Sequence, residues 1–273
     1  MKLTIRHLLT LPLGAPSRSV AHLLLTPSVT AQQKVEQWSI SMPGMEGAST
    51  FRDGFGNRAH LVTQVRPDSE ITIAVTGRIE MIDKAGILGR LDHDPMPAVF
   101  RRATAATAVD PALLADLARD AGRIGILHEL MSRTHEMATR ELEPSGRQSQ
   151  SQGEAGTEAG QLQSQEERGA GDSATDAAQA FVGAVRALGI PARFVRGYLF
   201  EDGNAEVHCW AEAWDDGLGW IGFDPRLNLC PTTGHIRIAC GLDAGGTPAV
   251  RMIPAPTGAV SETVEIEDQT PST

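Results

Sequence analysis

Apolar residues at every second position open the chain. Leu3, Ile5 and His7 share one parity and Lys2, Thr4 and Arg6 the other, the pattern of a strand with one buried face. Val20 to Leu25 and Val35 to Met42 read as two further strands. In FRDGFGNRAHLVTQV, Asp53-Gly54 and Gly56-Asn57 are pairs that tolerate positive φ, so a turn is expected there. Ile71, Ile73, Val75, Gly77, Ile79 and Met81 then alternate along one long strand. Several short strands separated by turn residues predict a small antiparallel sheet or sandwich over residues 1–83.

Beyond residue 83 the pattern becomes helical. A connector punctuated by Gly and Pro covers 84–109. Asp110 supplies an N-cap and Pro111 a first helical residue, with Leu113, Leu114, Leu117 and Ala118 on one face. Gly122 and Gly125 are expected to break or bend this helix. Ile126 to Leu142 reads as a second helix, with Leu127, Leu130, Met131 and Met137 in phase and Pro144 just beyond. Residues 145–172 are rich in Gln, Ser, Gly and Glu, and Leu162 is their one aliphatic side chain larger than Ala. Such a segment buries too little apolar surface to order itself, so a flexible loop is expected.

A third helix follows. Ala177, Phe181, Ala184, Val185 and Leu188 lie on one face. Ser173 and Asp176 form an S-x-x-D capping pattern, which predicts a start near residue 174. Gly189 suits a left-handed cap, and Pro191 prevents continuation. His208 falls in EVHCWAEAW, an apolar, aromatic strand, with Glu212 on the same parity. HIRIA at 235–239 and the pair Val264 and Ile266 suggest later strands, and EDQTPST reads as a frayed tail.

Composition narrows the function classes. The chain has 273 residues, 41% of them hydrophobic, which allows one large domain or two small ones. Net charge is -10 and the sequence pI is about 5.3, with no basic stripe, so nucleic acid is not an expected partner. The three cysteines, Cys209, Cys230 and Cys240, are odd in number and lack paired spacing, against a disulfide framework or a zinc knuckle. One His and one Glu on a strand do not make a metal site; no metal and no cofactor are expected. Arg193 and Arg196 are expected to pair with surface acids rather than to bind phosphate. Arg6, His7, Pro12, Pro16 and Arg18 interrupt the N-terminal apolar runs, so neither a secretory leader nor a membrane span is expected, and a cytoplasmic location fits.

Together these residues resemble a known family. RALGIPAR at 186–193, the H-x-W-x-E of His208, Trp210 and Glu212, and GWIGFDP ending at Pro225 are similar to the core of the transglutaminase-like family, within the papain-like cysteine hydrolase superfamily. LTIRH, LLLTP near residue 25 and DGFGN at 53–57 resemble the β-rich N-terminal region of its bacterial members. The resemblance implies an α+β fold: an N-terminal β region, then a core with a helix packed on an antiparallel sheet. It also implies a Cys-His-Asp triad, with His208 as base and Asp224 as its orienter. The family's cysteine stands in G-x-C about twelve residues before the arginine of R-x-L-G-I-P-A-R. Counting back from Arg186 reaches Ala174, and Asp176 matches the Asp that follows the cysteine.

Ala174 therefore stands where the resemblance expects the nucleophile. A helix N-terminus and a nearby imidazolium would both lower a thiol's pKa there, and a methyl group gains from neither. Ser173 is the alternative nucleophile, but one extra residue turns a helical position by about 100°; a capping role is expected for it. Cys209 adjoins His208, yet strand neighbours face opposite ways, so it is read as a packed thiol. Arg226 and Asn228 follow Asp224, where the family more often continues T-N.

The organisation expected is a β-rich region over 1–83, connector and helices over 84–144, the loop over 145–172, the core over 173–257, and a C-terminal strand and tail over 258–273. The leading functional expectation is a catalytically inactive relative that binds a peptide or protein partner. The alternative is an active amide-bond hydrolase or acyltransferase using Ser173 or another nucleophile with His208 and Asp224.

Overall fold

The alternating stretches form two packed sheets. The structure, a computed structural model, describes residues 1–117, 122–142 and 170–269. Its first six strands are β1 (Lys2–Pro12), β2 (Arg18–Thr26), β3 (Gln33–Ser41), β4 (Ser49–Arg52), β5 (Arg58–Val65) and β6 (Glu70–Met81). β1 runs antiparallel to β6 along its whole length, with Leu3 opposite Ile79 and Leu9 opposite Ile73. The alternating residues Leu9, Leu11, Ile71, Ile73 and Val75 bury against Leu23, Leu25 and Val62 from the second sheet. That sandwich is what the two-residue period demands: one face of each sheet is apolar and must be covered.

The remaining elements are β7 (Ile87–Gly89), α1 (Pro111–Leu114), α2 (Gly122–Leu142), α3 (Ala170–Ala187), β8 (Ala192–Glu201), β9 (Asn204–Asp215), β10 (Gly219–Phe223), β11 (His235–Gly241), β12 (Val250–Ile253) and β13 (Ser261–Asp268). The core sheet has the order β11-β8-β9-β10-β7, and its strand pairs are antiparallel. α3 packs Phe181, Val182, Ala184 and Val185 onto Ala192, Ala211, Ala213, Ile221 and Phe223. This is the expected α+β core of a helix on an antiparallel sheet. The chain then returns to the sandwich: β12 pairs with β2, and β13 pairs with β1. Residues 250–253, grouped above with the core, thus extend the second sheet.

Three expectations about helices change. α1 is a single turn that stops at Leu114; Ala115 is extended and Asp116 has φ 51. The guanidinium of Arg133 donates to the carbonyls of Leu113 and Asp116, at 3.3 and 3.2 Å, so tertiary contacts satisfy the groups a longer helix would have paired. α2 begins at Gly122 and carries Gly125 in its interior. α3 begins at Ala170, so Ser173 lies within it and is not its cap. No Pro or β-branched residue separates Ala170 from Ser173, and extending a formed helix costs far less than nucleating one. The far end is as expected: Gly189 has φ 76, with Gly189 N–H donating to Arg186 and Ile190 N–H to Val185. The loop expected over 145–172 lies outside the described residues up to 169.

β11 is an edge of the core sheet, and two side-chain amides from the sandwich cover it. Gln33 donates to the Arg237 carbonyl at 2.9 Å and accepts from its N–H at 2.8 Å. Asn57 does the same for Cys240, at 2.7 and 2.9 Å. Each amide copies the donor and acceptor of a neighbouring strand, which removes an open edge.

Candidate active site

The site forms where β9, the turn after β10 and the start of β11 meet. β9 alternates a face of Cys209, Ala211 and Ala213, covered by α3, with a face of His208, Trp210 and Glu212. His208 is fully buried. Its Nε2 lies 2.5 Å from Asp224 Oδ2, so the two residues expected as base and orienter are in direct contact.

Asp224 opens a tight turn. It exchanges backbone hydrogen bonds with Leu229, at 2.8 and 3.2 Å, and its Oδ1 accepts from Leu227 N–H at 3.1 Å. Asn228 closes the turn at φ 54, a conformation asparagine tolerates. α2 holds the turn from outside: His135 Nδ1 donates to the Pro225 and Arg226 carbonyls, at 3.1 and 2.9 Å. The change from T-N to Arg226 and Asn228 thus yields an ordered turn.

A second imidazole, not found from the sequence, shares the carboxylate. His235 Nε2 lies 3.0 Å from Asp224 Oδ2. Thr232 N–H donates to His235 Nδ1 at 3.1 Å, so the proton is on Nε2 and points at Asp224. Burial pushes the Asp224 carboxyl upward, but the hydrogen bonds from His208 and His235 outweigh it and hold the group well below the usual range. The His208, Asp224 and His235 donor atoms lie within 4.8 Å of one another. A tetrahedral ion with bonds of about 2.0–2.1 Å needs its ligands roughly 3.4 Å apart. Two nitrogens at 2.5 and 3.0 Å from one oxygen make a hydrogen-bonded cluster.

The other nitrogen of His208 is also engaged. Arg226 Nη1 stands 3.4 Å from His208 Nδ1 and donates to Glu206; Glu206 Oε1 is itself 3.6 Å from Nδ1. The imidazole is thus held between Asp224 and an ion pair. Sequence reading noted Arg226 only as a departure in the turn, and Glu206 not at all, although its parity with His208 was a usable signal.

Ala174 is fully buried in a small cluster with Ala178, Phe194 and Cys209. It is the fifth residue of α3, where the favourable field of a helix N-terminus has begun to fade. Thr175 Oγ1 donates to Cys209 Sγ at 3.6 Å, and burial pushes that thiol's pKa up. Cys209 is thus a packed thiol on the α3 side of the sheet. Ser173 is half-buried within α3.

Behind Trp210 runs a buried charge network. Arg193 Nε donates to Glu212 Oε2 at 2.5 Å and Nη1 to Asp94 Oδ2 at 2.7 Å. Arg237 Nε donates to Glu212 Oε1 at 2.7 Å. Arg193 lies 3.9 Å from the Trp220 ring centroid, a cation–π contact. Arg193 was expected to meet a surface acid and instead meets a buried one. Arg196 does meet a partly exposed acid, Glu262, at 3.0 Å.

Comparison with known proteins agrees with this layout. Residues 147–225 match the model of the transglutaminase-like superfamily, and residues 3–80 match that of the bacterial transglutaminase-like N-terminal region. The chain thus carries a transglutaminase-like core behind a bacterial transglutaminase-like N-terminal region. A solved structure from Cytophaga hutchinsonii, proposed to be a cysteine protease, superposes with a TM-score of 0.65 at 22% identity, covering 100% of this chain and 92% of that one. That likeness concerns the fold. The periplasmic domain of TgpA from Pseudomonas aeruginosa is 17% identical over 83% of this chain and 90% of its own, with a TM-score of 0.33. An uncharacterised protein of Mycobacterium leprae is 31% identical over 91 residues, 30% of this chain and 32% of that protein. That match thus spans about a third of the relative's length. Among the described residues no helix is long and apolar enough to cross a membrane.

Proposed function

We propose that this transglutaminase-like protein is catalytically silent and acts by binding a peptide or protein partner. Ala174, at the position the family resemblance gives to the nucleophile, carries this reading. A methyl group has no lone pair with which to attack an acyl carbon, so the covalent step of a Cys-His-Asp mechanism has no first atom. The surroundings of His208 support it. Asp224 takes Nε2 and Arg226 faces Nδ1, and a base needs an open lone pair within hydrogen-bond reach of its substrate. His208 and Asp224 then serve as buried structural polar groups, each satisfied by the other.

An activated serine is the competing chemistry, and a fluorophosphonate probe tests for it. The expected result is no labelling of the full chain beyond that of heat-denatured protein. Adduct formation on Ser173 that disappears in His208→Ala would overturn the silent reading.

A further inference from the structure

A cavity of about 480 Å³ lies between the sandwich and the core, away from Asp224. Arg52, Arg58, Arg90, Asp92 and Asp94 are among its walls. Its volume suits a small ligand or a short peptide segment. We propose that this cavity binds a carboxylate-bearing ligand through Arg52, Arg58 and Arg90. The site is separate from His208 and does not depend on whether the protein is silent.

The state of the three arginines carries the proposal. Arg52 Nη1 donates to the Gly56 carbonyl at 3.0 Å, and Arg90 Nη2 to the Asp216 carbonyl at 3.5 Å. Arg90 also lies 5.1 Å from the Trp214 ring centroid. Both guanidiniums are positioned by neutral groups, so their charge is not cancelled. Among the described residues the Arg58 side chain has neither a hydrogen bond nor an ion pair. Elsewhere in the same fold Arg193, Arg196, Arg226 and Arg237 each hold a carboxylate.

Charge at the cavity runs against the whole chain. Asp94 is already bound to Arg193 at 2.7 Å, which leaves Asp92, among the described residues of the wall, as the one uncommitted carboxylate against three arginines that share the lining. The chain carries a net charge of -10, so a cationic wall is a local feature. Guanidinium forks match planar carboxylates in two-point contact. Asp92 and Asp94 would repel a phosphate dianion more than a carboxylate, which favours the latter.

The walls are also fixed before a ligand arrives. Arg52 and Arg58 flank the DGFGN turn. There Asp53 Oδ1 accepts from Phe55 and Asn57 N–H, both at 2.9 Å, and Oδ2 accepts from the Asn57 amide at 2.8 Å. Gly56 has φ +87, and a Cβ there would stand 2.7 Å from the His93 carbonyl oxygen. Turn and opposite loop therefore sit close in a way only glycine permits. A backbone fixed in advance lowers the ordering cost of binding to that of the arginine side chains.

Fluorescence anisotropy on the full chain tests this with labelled tetraglutamate, its tetraglutamine counterpart, and unlabelled citrate as competitor. Tetraglutamate should bind at least about tenfold more tightly than tetraglutamine, the scale of one charge-assisted contact, and binding should weaken as salt rises. Arg58→Ala and Arg90→Gln should each lower that affinity by about tenfold or more, with melting temperatures within a few degrees of wild type. Citrate that competes as strongly as the peptide assigns the cavity to free small carboxylates. Weak citrate with tight peptide assigns it to acidic segments, and both results uphold carboxylate recognition. Equal affinity for the two peptides, no binding of either tetraglutamate or citrate, or wild-type affinity in both variants overturns the proposal.

Discussion

At His208 both imidazole nitrogens are engaged: Nε2 by Asp224 at 2.5 Å, and Nδ1 by Arg226 at 3.4 Å. If the resemblance is right that position 174 reaches His208, a nucleophile there meets a base whose remaining lone pair accepts from a guanidinium. We expect Ala174→Cys alone to hydrolyse p-nitrophenyl acetate no faster than wild type. Ala174→Cys with Arg226→Ala should be about 100-fold faster than the single variant, the scale of general-base assistance, and His208→Ala should abolish the gain. Full activity in Ala174→Cys alone would show that Arg226 does not block Nδ1. His208 and Asp224 were legible because their motif is local to one strand and one turn. His235 was not, since its role depends on β11 pairing with β8 in a register that sets His235 opposite Leu199. No periodicity reports that pairing.

For the strands, the two-residue period gave location and buried face along β1 and β6, and location alone elsewhere. Val20 to Leu25 lies inside β2, Val35 to Met42 runs one residue past the end of β3, and HIRIA opens β11. β2 buries Leu23, Leu24 and Leu25, β3 only half-buries Val35, Trp38 and Ile40, and β11 is buried on both faces. Helix ends were less legible because they are settled by partners distant in sequence, as with Arg133 at the end of α1. Gly183 shows the same conflict in the middle of α3. Helix propensity alone favours alanine there by about 1 kcal/mol. A Cβ at Gly183 would, however, stand 2.5 Å from the Thr107 carbonyl oxygen, and backbone cannot swing aside as a long side chain can. Gly183→Ala is therefore expected to destabilise the fold by about 1–3 kcal/mol, the usual cost of overpacking. Urea denaturation would read it as a lower midpoint, and an unchanged or higher midpoint would mean that propensity wins and α3 can shift away from Thr107.

Across the whole molecule, sandwich and core are joined by polar groups that sequence patterns do not announce. Gln33 and Asn57 pair with the edge of β11, and His7 Nδ1 lies 2.8 Å from the Tyr198 hydroxyl. Next to that edge, Glu212 is fully buried between Arg193 and Arg237. Burial pushes the Glu212 carboxyl upward, but the attraction of Arg193 and Arg237 exceeds this and holds it below its ordinary value of 4.5. Asp224 is likewise held below its ordinary value of 3.8, burial being outweighed by the bonds from His208 and His235. Both groups bind protons less readily in the folded chain than in the unfolded one. As pH falls, the unfolded chain takes up protons first, so stability rises with pH through this window and is fully present above it. The melting temperature should therefore stay nearly level from pH 7 to about pH 5 and drop steeply below pH 4.5. A tenfold difference in proton affinity between the folded and unfolded chain corresponds to about 1.4 kcal/mol, so two buried carboxyls can remove a large share of a typical domain's stability. Differential scanning calorimetry across pH 3 to 7 would show the drop. Glu212→Gln should flatten the acid limb while lowering the plateau, because it removes one titrating group and leaves two buried guanidiniums short of a counter-charge. A Glu212→Gln profile that falls as steeply as wild type would assign the acid sensitivity to carboxyls outside this network.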